Sequence, residues 1–88
     1  MAEAAFQRAK ELVRQLRCKP SDVVEVELYA LVKQAHLGNV NTKRPPLREL
    51  LARLEWDAWK RLEGTSQSDA MIRCINMAEE LRLKDCKP

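Results

Sequence analysis

Apolar residues recur along this chain at intervals of three and four, the repeat of an amphipathic helix. Phe6, Ala9, Val13 and Leu16 fall on one stripe with Leu12 beside it. Lys19-Pro20 is expected to stop this first helix, because proline disfavours helical backbone in the residue before it. Val24, Leu28, Leu31 and Ala35 form a second stripe, which Asp22 and Glu25 open with the spacing of a capping box and Gly38 ends. Gly38 to Arg48 then makes a long connection containing Pro45-Pro46, of the kind that crosses an element or carries function. A third helix is predicted from about Leu50 to Glu63, with Leu51, Leu54, Ala58 and Leu62 sharing one side and Trp56 and Trp59 widening the apolar surface. Gly64 terminates it. Ser66 and Asp69 cap a fourth helix with the stripe Ala70, Cys74, Ala78 and Leu81, and with Met71, Ile75 and Met77 nearby. Four helical segments, with no strand pattern, internal repeat or low-complexity stretch, predict an all-α bundle.

Composition narrows the class. Residues 1–88 fit one domain, and a chain of this length buries only roughly 60–65% of its unfolded surface, enough for one thin core. Hydrophobic residues at 45% and charged ones at 33% place it among folded rather than disordered chains. No apolar run approaches the ~20 residues needed to span a bilayer, so no integral membrane segment is expected. Charges at Glu3, Arg8, Lys10, Glu11, Arg14 and Arg17 leave no apolar core for a secretory signal, and a cytoplasmic protein is expected. Cys18, Cys74 and Cys86 are odd in number and lack Cys-x-x-Cys spacing, which favours free thiols.

The net charge of +3 suits an anionic ligand but is far from a concentrated nucleic-acid-binding patch. Arg48, Arg53, Lys60 and Arg61 are interrupted by Glu49, Glu55 and Asp57, so no nucleic-acid partner is expected. His36 stands alone, without paired-ligand spacing for zinc. Two glycines, Gly38 and Gly64, cannot build a glycine-rich phosphate loop. Neither an enzyme nor a bound cofactor is expected.

The second helix carries the candidate chemistry. Tyr29, Val32, Lys33 and His36 stand at i, i+3, i+4 and i+7, which puts an aromatic ring and a cation on one face. That pairing suits a ligand with a base to stack on and phosphates to neutralise. Around it run four blocks in order: Leu28-Tyr29-x-x-x-Lys33-Gln34-Ala35; Gly38-Asn39-x-Asn41-Thr42-x-Arg44-Pro45; Trp56-Asp57-Ala58-Trp59; and Gly64-Thr65-Ser66 with Asp69-Ala70-Met71. Together, from about Phe6 to Leu81, they resemble the acyl-CoA-binding protein family, which includes the diazepam-binding inhibitor and endozepine-like proteins.

The resemblance implies an up-down-down-up four-helix bundle that binds long-chain fatty acyl-CoA as a monomeric carrier or buffer. Tyr29 matches the tyrosine on the adenosine 3′-phosphate, Lys33 the phosphate-binding lysine, and Arg14 a ligand-facing lysine. At other family positions this chain departs. Val32 replaces an aromatic residue beside the adenine, Leu51 a lysine, Glu55 a phosphate-reaching lysine, and Cys74 a tyrosine. Lys10 and Glu25 put charges where the family tends to have small or apolar residues near the acyl groove. Lys43 and Arg44 are the loop cations able to stand in for Glu55 if the loop folds over the site. A divergent member with altered or weakened affinity is therefore expected. The alternative is a non-catalytic interaction or signalling protein that keeps the bundle without the ligand.

Overall fold

A computed structural model describes residues 2–85 and contains four helices: α1 (Ala2–Arg14), α2 (Asp22–Leu37), α3 (Leu50–Arg61) and α4 (Gln67–Lys84). No strand occurs among the described residues. Backbone packing joins α1 to α4, α4 to α2 and α2 to α3. Asp85, just past α4, accepts from the N–H groups of Arg17 and Cys18 just past α1, so these two helices run parallel. Gln67 at the start of α4 donates to the Ala35 and His36 carbonyls at the end of α2, so that pair is antiparallel. Val26 and Ala30 pack near Leu54 and Ala58, and Gln34 reaches Thr65, so α2 and α3 run parallel. The result is the expected up-down-down-up bundle.

The molecule is thin, with principal extents of 41 × 32 × 15 Å, little more than one helix deep in its shortest direction. Its main core is Phe6, Leu28, Leu31, Ala35, Ala70 and Cys74, where α1 and α2 meet on α4. A second cluster of Ala30, Ala58 and Trp59 joins α2 to α3. Small residues at the buried positions let these helices approach closely, and the predicted stripes of α2 and α4 supply most of the core. The predicted stripe of α3 is covered only in its C-terminal half. Ala58 is buried and Leu62 half-buried, whereas Leu51 and Leu54 are exposed, because α2 is the one helix packed on α3.

The end of α1 and the start of α2 differ from expectation. α1 stops at Arg14, five residues before Lys19, and its last turn tightens through the Leu16 N–H to Val13 carbonyl bond. The N-cap of α2 is Ser21, whose hydroxyl accepts from the Val24 N–H, rather than Asp22. Glu25 turns away from that cap to pair with Lys19 at 3.8 Å. Ser66 caps α4 as expected, accepting from the Asp69 N–H. Gly38 ends α2 at φ +78°, a conformation that strains residues bearing a Cβ.

Cys18 is disulfide-bonded, which overturns the expectation of three free thiols. An odd count leaves one cysteine over but does not prevent the others from pairing. Cys74 is the free and buried thiol among the described residues, and Cys86 lies outside them.

Candidate functional site

α2 presents Leu28, Tyr29, Val32 and Lys33 along one side, with α1 and α3 flanking it. Lys33 sits between two rings, its Nζ 5.5 Å from the Tyr29 centroid and 6.0 Å from the Trp59 centroid. Trp59 is buried and pinned, because its indole N–H donates to the Gly38 carbonyl at 2.8 Å. A fixed aromatic wall thus holds the ammonium against α2. Favourable cation–π contact keeps a charge in place that would otherwise sweep through solvent. Leu51 and Glu55 lie eight and four residues before Trp59, two turns and one turn along the same face of α3.

On the other flank, Arg14, Val32 and Cys74 line a groove of about 200 Å³ together with Lys10, Val13 and Leu28. α1 and α2 straddle this groove and Cys74 of α4 floors it; burial pushes the Cys74 thiol pKa up, keeping it protonated and apolar in character. Arg14 stands at the rim and makes a loose, exposed pair with Glu11 at 3.6 Å. Of the seven sequence-predicted positions, Arg14, Val32 and Cys74 line one groove on the α1 side and Tyr29 and Lys33 stand beside Trp59 on the α3 side, whereas Leu51 and Glu55 share only the helix face of Trp59 and make no polar or ring contact with the others among the described residues.

Lys10 plays a larger part than its place in the sequence suggested. Its ammonium donates to His36 Nε2 at 3.0 Å and lies 4.9 Å from the centre of the Phe6 ring. Lys10, Arg14 and Lys33 make the face electropositive. Glu55 opposes them, with no ion pair among the described residues.

The long loop is clasped to α3 by side chains whose pairing cannot be read from their spacing. Arg44 forks onto Asp57, with Nε to Oδ1 at 2.9 Å and an Nη to Oδ2 at 2.8 Å. The Asp57 carboxyl is held below the usual carboxylate range, chiefly by that hydrogen bond. The Trp56 indole donates to the Thr42 carbonyl at 3.1 Å. Arg44 is thus engaged with Asp57 rather than with the face of Tyr29 and Lys33. Lys43 remains without a partner among the described residues.

Gln34 is a further residue that sequence reasoning missed. It is fully buried and donates to Asn39 Oδ1 at 3.0 Å and to the Thr65 carbonyl at 2.7 Å, while Asn39 Oδ1 also accepts from the Gly64 N–H. Its signal was present: Gln34 stands three residues after Leu31, on the buried stripe of α2.

Two grooves at least twice as roomy open elsewhere. One of about 490 Å³ lies between α1 and α4 beside Ala9, Leu12 and Ile75. The other, of about 410 Å³, is bordered by Arg61 and Arg73 but also by Glu27 and Glu80, so its charges cancel. Neither is lined by an aromatic ring, unlike the face where Lys33 meets Tyr29 and Trp59.

Comparison with known proteins bears on the family and the fold. Residues 3–78 match the family model described as "Acyl CoA binding protein". A "Putative acyl-CoA-binding protein" from a Hypsibius species is 38% identical over 79 residues, covering 90% of this chain and 89% of that protein. The crystal structure of Oryza sativa Acyl-CoA-Binding Protein 2 superposes with a TM-score of 0.90 at 35% identity, covering 94% of this chain and 90% of that one. The crystal structure of ACBP from Moniliophthora perniciosa gives 0.89 at 35% identity, covering 96% and 83%. With its family model, a similar relative and its helix arrangement all in agreement, the chain belongs to the acyl-CoA-binding protein family.

Proposed function

We propose that this protein binds long-chain fatty acyl-CoA thioesters on the face built from Tyr29 and Lys33, and that it acts as a non-catalytic, monomeric carrier. The observation that carries the reading is the Lys33 ammonium held between the Tyr29 and Trp59 rings. The rings offer flat surfaces for a base, and Lys33, with Arg14 and Lys10 nearby, offers cations for phosphates through charge-assisted contacts. Val32, Leu28 and Val13 supply apolar surface for the start of the acyl chain, worth about 0.8 kcal/mol per buried CH₂. The family membership supports the ligand class; the residue roles are proposed from their placement.

Affinity is expected to be weaker than a site with a lysine at position 55 would give. Glu55 is an anion without an ion pair among the described residues, on the α3 face that Trp59 shares, and Arg44 is occupied by Asp57. A protein-partner role without the ligand would follow only if that repulsion abolished binding. A cytoplasmic location goes with a reduced Cys18, because reducing compartments keep such thiols open; the Cys18 disulfide belongs to an oxidising setting. The site is tested by titrating palmitoyl-CoA into the Lys33→Ala variant. Losing one charge-assisted contact should cost about 1.5–3 kcal/mol, at least tenfold in Kd. An unchanged Kd would remove the phosphates from this face.

A further inference from the structure

The stripe at the start of α3 faces solvent. Leu50, Leu51 and Leu54 of α3 stand at i, i+1 and i+4 and are 57%, 63% and 47% exposed, and Leu47, in the turn just before the helix, is 69% exposed. Scattered single leucines on a surface are ordinary, but four exposed ones within eight residues concentrate apolar surface at the start of α3. Nothing among the described residues covers it.

Charge around the patch is one-sided. Between Lys43 and Glu55 the chain carries four cations, Lys43, Arg44, Arg48 and Arg53, against the carboxylates of Glu49 and Glu55. That excess of two makes up most of the net charge of +3 of the whole protein. Arg44 is tied to Asp57 and Arg53 leans on the Pro45 carbonyl at 3.5 Å, which leaves Lys43 and Arg48 as the most open charges. Asp22, Glu27 and Asp57 gather instead on the α2 side of Leu54, around Val23, and so mark where the basic surface ends.

We propose that this end of α3 docks on anionic phospholipid bilayers, with the four exposed leucines entering the headgroup boundary and Lys43 and Arg48 reaching lipid phosphates. A helix with leucines on one side and cations beside them has the character of an interfacial element. Cations near a surface of anionic lipid each add attraction without needing a shaped partner, which suits long side chains in the open. A protein groove would instead have to match the leucines and cations in fixed geometry. The inference does not depend on the acyl-CoA reading, although Leu51 belongs to both surfaces.

Co-sedimentation with vesicles tests it, comparing phosphatidylcholine alone with phosphatidylcholine containing about 30 mol % phosphatidylserine. The wild-type protein should bind the anionic vesicles, and raising salt to about 0.5 M should weaken that binding several-fold by screening. The Leu47→Ser/Leu50→Ser double variant should bind at least tenfold less, with an unchanged helical circular-dichroism spectrum, since both side chains are exposed and lie outside the proposed ligand face. Arg48→Glu should weaken binding to anionic vesicles and leave that to neutral ones unchanged. Absence of binding by the wild-type protein would overturn the proposal. So would equal binding by the double variant, which would make the attraction purely electrostatic. A concentration-dependent dimer in sedimentation velocity that the double variant abolishes would also overturn it, assigning the stripe to a second copy of the chain.

Discussion

Replacing Glu55 by lysine should tighten acyl-CoA binding at least tenfold. Glu55 lies one turn before Trp59 on the face of α3 that meets Lys33, and it has no countercharge of its own among the described residues. A phosphate about 6 Å from a unit charge interacts with it by roughly 3 kcal/mol at an effective dielectric of 20 and roughly 0.7 kcal/mol in water. Glu55 to lysine changes that interaction by two charges. The fully water-screened limit is therefore about 1.4 kcal/mol, a factor of ten in Kd. Half-burial of Glu55 places the real effect above that limit. Glu55→Gln removes the repulsion without adding attraction and should give about half the gain in free energy, roughly threefold. Calorimetric titration with palmitoyl-CoA at low ionic strength reads both variants, and added salt should shrink the gain. Since Glu55 makes no ion pair among the described residues, folding stability should stay within about 0.5 kcal/mol of wild type. If Glu55→Lys bound palmitoyl-CoA within twofold of the wild-type Kd, position 55 would lie away from the phosphates and its assignment to the site would be wrong.

Other variants test the scaffold behind that face. Trp59→Phe, which deprives the Gly38 carbonyl of its donor and shrinks a buried side chain, should cost about 1–3 kcal/mol in urea unfolding; no loss would mean the indole N–H contributes nothing to the clasp. Because the Asp57 pKa is depressed in the folded state, its contribution is present above the ordinary carboxylate pKa of about 3.9 and is lost as pH falls through the lower folded value. Asp57→Asn should therefore remove part of the acid-side decline in melting temperature, and an unchanged acid limb would count against the Arg44 pairing. Protein denatured without reductant should show fewer than three reactive thiols in a colorimetric assay, whereas three would contradict the Cys18 disulfide.

Periodicity alone located all four helices, because each stripe of apolar side chains repeats with the turn of the helix. It could not say which part of a stripe finds a partner. Leu51 and Leu54 share a side with Ala58, yet only the C-terminal part of that side is covered, and helix spacing carries no record of where a neighbouring helix begins. Ser21 lay in plain view as a capping residue, but the Asp22–Glu25 spacing competed with it and Glu25 found Lys19 instead. At the site, Tyr29 and Lys33 were legible because residues four apart on one helix are neighbours by construction. The partner ring, Trp59, lies 26 positions from Lys33 and became visible only once α2 and α3 were known to run parallel. The same holds for Arg44: its preference for Asp57 is a contact across the loop, and it settles which cation is free.

Whether a face carrying Glu55 still holds a long-chain acyl-CoA, through Tyr29, Lys33 and the apolar groove beside them, is decided by isothermal titration of the folded protein with palmitoyl-CoA, free CoA and palmitate. Saturable one-to-one binding of the thioester is expected, with CoA and palmitate each far weaker because each carries only part of the contacts. No heat with palmitoyl-CoA at tens of micromolar, in protein confirmed helical, would contradict this and leave the bundle without this ligand.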